Sequence, residues 1–214
     1  MSELNTRIVT DPAHPVRFSY FKAITGKMEY NKKKKVEERI WSTMTFIPKT
    51  DKATIQRFKD LIDAVAEEKW GNNVPKTLKI SFRDGDKEGK GGVPEGTEPG
   101  SEPYGGHFFV SARSDRQPGV VDRDRQPILD ASEVQSGDYG CVSFNCYAWE
   151  NEHGKGVAFG LGNIQFIKKG EPLGGTQVAP DSEFTPIAAA QDEDSAPESA
   201  PAGAKKKSSV FDVA

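Results

Sequence analysis

Long hydrophobic runs are missing from this chain: nothing approaches the roughly 18 consecutive apolar residues that span a bilayer. Met1 to Asp11 also lacks a basic start followed by an apolar segment, so neither a membrane helix nor a secretory leader is expected and the predicted compartment is the cytoplasm. Cysteine and histidine are scarce too. The two cysteines, Cys141 and Cys146, stand five apart on one predicted strand and face opposite sides, so they can neither pair nor form a zinc knuckle and read as small reduced side chains. The three histidines, His14, His107 and His153, lie in unrelated contexts and supply no catalytic or metal-ligating set. Gly160-Leu-Gly162 lacks the third glycine and the following helix of a dinucleotide site. Neither a cofactor nor a resident metal is expected.

A basic excess is absent as well, since the formal net charge is −3. The charge is unevenly spread, however. Residues 176–214 hold seven acids and three lysines, a net −4, which leaves the preceding body at +1. That last stretch is rich in Ala, Pro, Asp, Glu and Ser with too few large apolar residues to pack, so the chain divides into a folded domain, 1–175, and a disordered acidic tail, 176–214. A near-neutral body with local basic clusters stays compatible with binding a phosphate backbone.

What is present is a succession of strand signals. Residues 16–23 read as a first strand and Arg39 to Ile47 as a second, with Ile40, Met44 and Phe46 alternating against Arg39, Trp41, Thr43 and Thr45. After Pro48, Asp51 caps a helix with Ile55, Phe58, Leu61, Ile62 and Val65 on one face, and Gly71 stops it. Leu78–Arg83, His107–Ala112, Gly140–Trp149 and Val157–Lys168 follow as strands, with a long loop between Asp84 and Gly106. Mainly β, with one helix after the second strand and turns rich in Gly and Pro, the pattern predicts a small Greek-key barrel of the oligonucleotide-binding type, an OB-fold.

The most informative strand runs from Asp138 to Trp149. Val142, Phe144, Cys146 and Ala148 make one apolar face, while Tyr139, Cys141, Ser143, Asn145, Tyr147 and Trp149 set aromatics among small polar residues on the other. Such a face suits flat polar ligands, because unstacked bases want aromatic surfaces and their phosphates want cations alongside. Strand-face reasoning and basic-aromatic clustering give Phe21, Trp41, Tyr147 and Trp149 as stacking residues, with Tyr104 and Tyr139 beside them. Lys22, Lys27, Arg39, Lys79, Arg83 and Arg113 are the phosphate contacts. Lys32 to Lys35 read better as a solvated hairpin turn. Two rivals use the long loop. Asp84, Asp86 and Glu88 could hold magnesium for a nuclease, and Asp84 to Glu95 partly matches a calcium loop but carries Glu at the fifth place and Pro94 before the last ligand. A protein-interaction module with an aromatic face is a third alternative.

Val16-Arg-Phe-Ser-Tyr20, Phe46-Ile-Pro-Lys-Thr-Asp51, Arg83-Asp-Gly-Asp86, Pro118-Gly-Val-Val-Asp122, Gly154-Lys-Gly-Val-Ala-Phe-Gly-Leu-Gly-Asn-Ile-Gln165 and Gly170-Glu-Pro-Leu-Gly-Gly175 occur in that order. Together they resemble the tailed-phage single-stranded DNA-binding protein family, across about residues 14–175. The resemblance implies a non-enzymatic OB-fold that coats single-stranded DNA during phage replication or recombination, in the host cytoplasm. It also implies an acidic tail that recruits replication proteins and competes with DNA for the groove. Phe211 and Asp212 are the candidate docking residues in that tail, although Lys205 to Lys207 interrupt its acids.

Overall fold

The computed structural model describes residues 4–31, 34–87, 102–152 and 154–173. Its strands are β1 (Arg7–Val9), β2 (Val16–Ser19), β3 (Lys27–Asn31), β4 (Val36–Pro48), β5 (Lys79–Ile80), β6 (Phe82–Asp84), β7 (His107–Ser114), β8 (Val120–Val121), β9 (Tyr139–Asn151) and β10 (Gly154–Lys168). The helix α1 (Lys52–Trp70) lies between β4 and β5. Strands β2, β4, β7, β10 and β9 follow one another round a ring that closes where β9 pairs again with β2. Taken in chain order, these ring strands run first, second, third, fifth, fourth. The β7–β10 contact is parallel and the other four are antiparallel, which is the OB-fold barrel expected. Short strands complete the wall: β5 and β8 join the edge of β10 that also meets β7, and β6 pairs with β7.

Alternation along the ring strands fills the barrel. Val16 and Phe18 point inward from β2, Val110 and Ala112 from β7, and Val142, Phe144 and Cys146 from β9, against Val157, Phe159, Leu161 and Ile164 of β10. The helix plugs one end. Asp51 accepts a hydrogen bond from the Thr54 N–H at 3.0 Å, which caps α1 and fixes its entry, and Gly71 in the left-handed region (φ 57°) ends it. Ile55, Phe58, Ile62 and Val65 are buried, as the periodicity requires, and the Phe58 ring lies 5.0, 5.6 and 5.1 Å from those of Phe82, Phe144 and Phe159.

Two strand expectations are corrected. The first strand stops at Ser19 rather than running to Ala23, because Tyr20 turns into the left-handed region (φ 47°). On β4 the inner and outer faces are exchanged. Ile47 and Thr45 enter the barrel, whereas Met44 and Phe46 lie outside it in a separate cluster with Tyr104 and Phe109. Thr43, also buried, is satisfied by donating its hydroxyl to the Ser19 carbonyl at 3.3 Å. Strands β1 and β8, three and two residues long, are too short to be seen in the sequence, and β3 was not expected although Lys27 to Asn31 alternates. The acidic tail, with Phe211 and Asp212, lies outside the described residues, as do Glu88 and the rest of the candidate metal loop to Glu95.

Both thiols are buried, and burial drives the Cys146 thiol up to about 12 and raises that of Cys141. The thiolate is the reactive form, so neither should react with a thiol reagent at pH 8 until the protein unfolds, when both should. Labelling followed by mass measurement checks this. Phe58→Ala should cost about 3–5 kcal/mol, because the ring fills the contact between helix and barrel floor. The loss would appear as a lower denaturation midpoint.

Candidate nucleic-acid interface

The exchange of faces on β4 builds a groove. Ser42, Met44 and Phe46 are paired with Arg113, Ser111 and Phe109 of β7, so an apolar outer surface runs across two neighbouring strands. Tyr20, Glu29, Ile40, Ser42, Met44, Ser111 and Arg113 are among the residues lining a groove of about 580 Å³ there. One end of this surface is filled: Tyr104 packs edge-on against Phe46 and Phe109, at 5.3 Å from each, with Leu173 beside them. Burial first, and the neighbouring Tyr20 hydroxyl second, push the Tyr104 phenol up to about 12. Tyr104 thus closes this end of the surface, and Tyr20, which lines the groove, is 52 % exposed on a backbone held in the left-handed region.

The surface continues round the barrel. Arg113 is level with Gly160 of β10, Gly160 with Asn145 of β9, and Asn145 with Arg7 of β1, so Ser42, Arg113, Gly160, Asn145 and Arg7 make one outward row across five strands. Next to it Tyr147 faces Ala158 and Trp149 faces Gly156. Glycine is needed at 156, because a Cβ would come within 2.2 Å of the Lys79 carbonyl oxygen and 2.8 Å of the Trp149 ring. Tyr147 is 42 % exposed. Lys79, Arg83 and Trp149 line a second depression of about 460 Å³ beside the row. The Arg83 guanidinium sits 4.6 Å over the Phe109 ring, joining this depression to the aromatic cluster.

Of the residues expected to bind nucleic acid, this face brings together Lys79, Arg83, Arg113, Tyr147 and Trp149. Lys27 lies at its margin, opposite Ile40. The others are elsewhere. Phe21 stacks on Phe18 at 5.3 Å and, with Lys22, lines a separate cavity of about 260 Å³. Arg39 donates to the Thr25 carbonyl, and the Trp41 indole nitrogen and Arg39 stem crowd Gly26, on the side of β4 opposite the groove. Tyr104 is buried, and Tyr139 lies at the far end of β9 between Arg17 and Lys168, 5.8 and 4.9 Å from its ring centre. Tyr20, Met44 and Arg7 were missed. Strand alternation could not flag Tyr20, which ends its strand, or Met44, which read as core.

Asp84 and Asp86, the two described acids of the rival reading, are committed to holding a loop. Lys49 bridges Asp84 and Asp86, and Asp86 also accepts from the Gly106 N–H at 2.8 Å. The Lys49 hydrogen bond and then that of Gly106 keep the Asp86 carboxyl below its usual range. Among the described residues no group of three His, Cys, Asp or Glu side chains is arranged to hold a metal, and no helix is long and apolar enough to cross a membrane.

Comparison with known proteins agrees with the fold. The single-stranded DNA-binding protein of bacteriophage Enc34, solved in complex with single-stranded DNA, superposes with a TM-score of 0.63 at 21 % identity, over 79 % of this chain and 90 % of that one. A crystal structure of the single-stranded DNA-binding protein encoded by bacteriophage T7 gives 0.53 at 15 % identity, over 84 % and 94 %. At these identities the likeness establishes the fold. In sequence, the chain is 29 % identical over 158 residues to putative protein p50 of Acyrthosiphon pisum secondary endosymbiont phage 1, covering 69 % of this chain and 79 % of that protein. The model of the family described as the single-stranded DNA-binding protein of Enterobacter phage Enc34 matches residues 6–196, and the chain belongs to that family.

Proposed function

We propose that the protein coats single-stranded DNA, without catalysis and without reading its sequence, during phage DNA replication or recombination. The observation that carries this reading is the outward row from Ser42 through Arg113, Gly160 and Asn145 to Arg7, with Tyr147 and Trp149 alongside it, on the face of a barrel belonging to this family. Bases stack on Tyr20, Tyr147 and Trp149. Phosphates follow Arg113, Arg7, Lys79 and Arg83. Every base has an aromatic face, so a platform of this kind tolerates any sequence.

The acidic segment 176–214 fits the same scheme as a tethered competitor. Covalent attachment keeps its net −4 near the cations of the body at a high effective concentration, from which DNA phosphates displace it. Phe211 and Asp212 then serve as the docking point for phage or host replication proteins.

Titration of fluorescent oligo-dT at two salt concentrations tests the reading. Affinity should fall steeply with salt through counterion release, and a weak or absent salt dependence would favour a protein-binding face instead. Tyr147→Ala and Trp149→Ala should each weaken binding by about 1–3 kcal/mol, roughly five- to 150-fold, whereas Trp41→Ala, on the opposite side of β4, should change it far less. A chain ending at Gly175 should bind more tightly than the full chain at low salt, with the gain shrinking as salt rises.

A further inference from the structure

Arg113 is one of the two cations of the outward row, with Arg7, and it is already paired. Its Nη2 donates to Oε2 of Glu29 at 2.8 Å. Glu29 comes from β3, which among the described residues pairs with β4 alone, so β3 and the start of β4 form a two-stranded arm. Lys27 and Glu29 share the arm face that carries Ile40, and Glu29 and Arg113 both line the groove. The ion pair therefore spans the groove from the arm to the barrel wall. The two side chains keep 41 % and 60 % of their surface exposed, so solvent reaches the pair and an exchange of partners is inexpensive.

Resting on the single-stranded DNA reading above, we infer that Glu29 is a resident anion at the phosphate site of Arg113: a clasp that holds the arm across the empty groove and that a DNA phosphate must displace. The chemistry is exchange of one anion for another on the same guanidinium. A phosphate entering the groove takes over the Arg113 hydrogen bond, and the Glu29 carboxylate, left beside DNA of like charge, moves away with the arm. Glu29 thereby lowers affinity and keeps binding reversible. With the carboxylate gone, Arg113 is available from the start and the groove carries one more net positive charge.

The test is the oligo-dT titration on full-length protein carrying Glu29→Gln, which keeps the side-chain size and removes the charge. Binding should tighten roughly three- to tenfold at low salt, and the slope of log affinity against log salt should steepen by about 0.7. Glu37→Gln is the control. Glu37 is opposite Tyr30 on the other face of the same arm, so it alters net charge equally without touching the clasp. Arg113→Ala should cost more in the Glu29→Gln background than in the wild-type chain, because only there is the guanidinium uncontested. Equal gains from Glu29→Gln and Glu37→Gln, or no gain from Glu29→Gln, would overturn the clasp. If Tyr147→Ala still weakened binding in that case, the DNA-binding face would stand. Failure of the wild-type chain to bind oligo-dT at all would overturn both.

Discussion

The structure depends on β9 being hydrogen-bonded along both edges. One edge pairs with β10 from Tyr139 to Asn151; the other meets β2 at Tyr139 and Gly140 and then β1 from Ser143 to Asn145. Closure brings β9 so near its neighbours that Gly140 has no room for a Cβ, which would fall 2.5 Å from the Phe18 ring and 2.2 Å from the Gln165 carbonyl oxygen. Because both edges are used, the strand cannot slip, and the pleat fixes which side chains go in. Val142, Phe144 and Cys146 then have to face the core, and Asn145, Tyr147 and Trp149 have to face out. The helix finds a floor for Phe58 only because Phe144 and Phe159 are held in register by that pairing.

The sequence was legible where burial and alternation agree. On β9 they do at its outer end, where Tyr147 and Trp149 lie on the face that the alternation assigns; Cys141 and Ser143, on the same side, are nevertheless covered, Ser143 by contacts from Arg7 and Asn163. The helix was legible for the same reason: its buried positions, its Asp51 cap and its Gly71 stop all follow local rules. On β4 the two signals part. A barrel with an apolar groove on this face puts Met44 on the outside; inside, the Thr43 hydroxyl bonds to the Ser19 carbonyl, whereas the buried Thr45 hydroxyl has no hydrogen-bond partner. Hydrophobicity alone therefore read Thr43 and Thr45 as outward and carried Trp41 to the wrong side with them.

The other misreadings come from residues whose role is set by something distant. Tyr20 belongs to the groove because the chain turns at it, with φ 47°, onto the face where β4 and β7 meet. Arg113 and Arg7 share a row through Gly160 and Asn145, a juxtaposition made by barrel closure and invisible to any local window. Clustering of Lys and Arg along the chain favoured Lys22 and Arg39, which close approach in sequence puts near aromatics but which the fold directs toward the Thr25–Gly26 turn and the cavity behind it.

Leu173 sits where two parts of the molecule meet. Its N–H donates to the Ser136 carbonyl at 2.9 Å, its side chain packs with Met44, Phe46, Tyr104 and Phe109, and just before it Arg17 holds the Glu171 carbonyl at 2.9 Å. The chain thus leaves the barrel pinned at the filled end of the groove, while β1 begins at the other end of the outward row. A dye attached next to Leu173 therefore sits at the filled end of the groove, and one attached next to Arg7 at the β1 end of the outward row. A pair of labels placed beside Arg7 and beside Leu173 would therefore mark two separate places on the barrel.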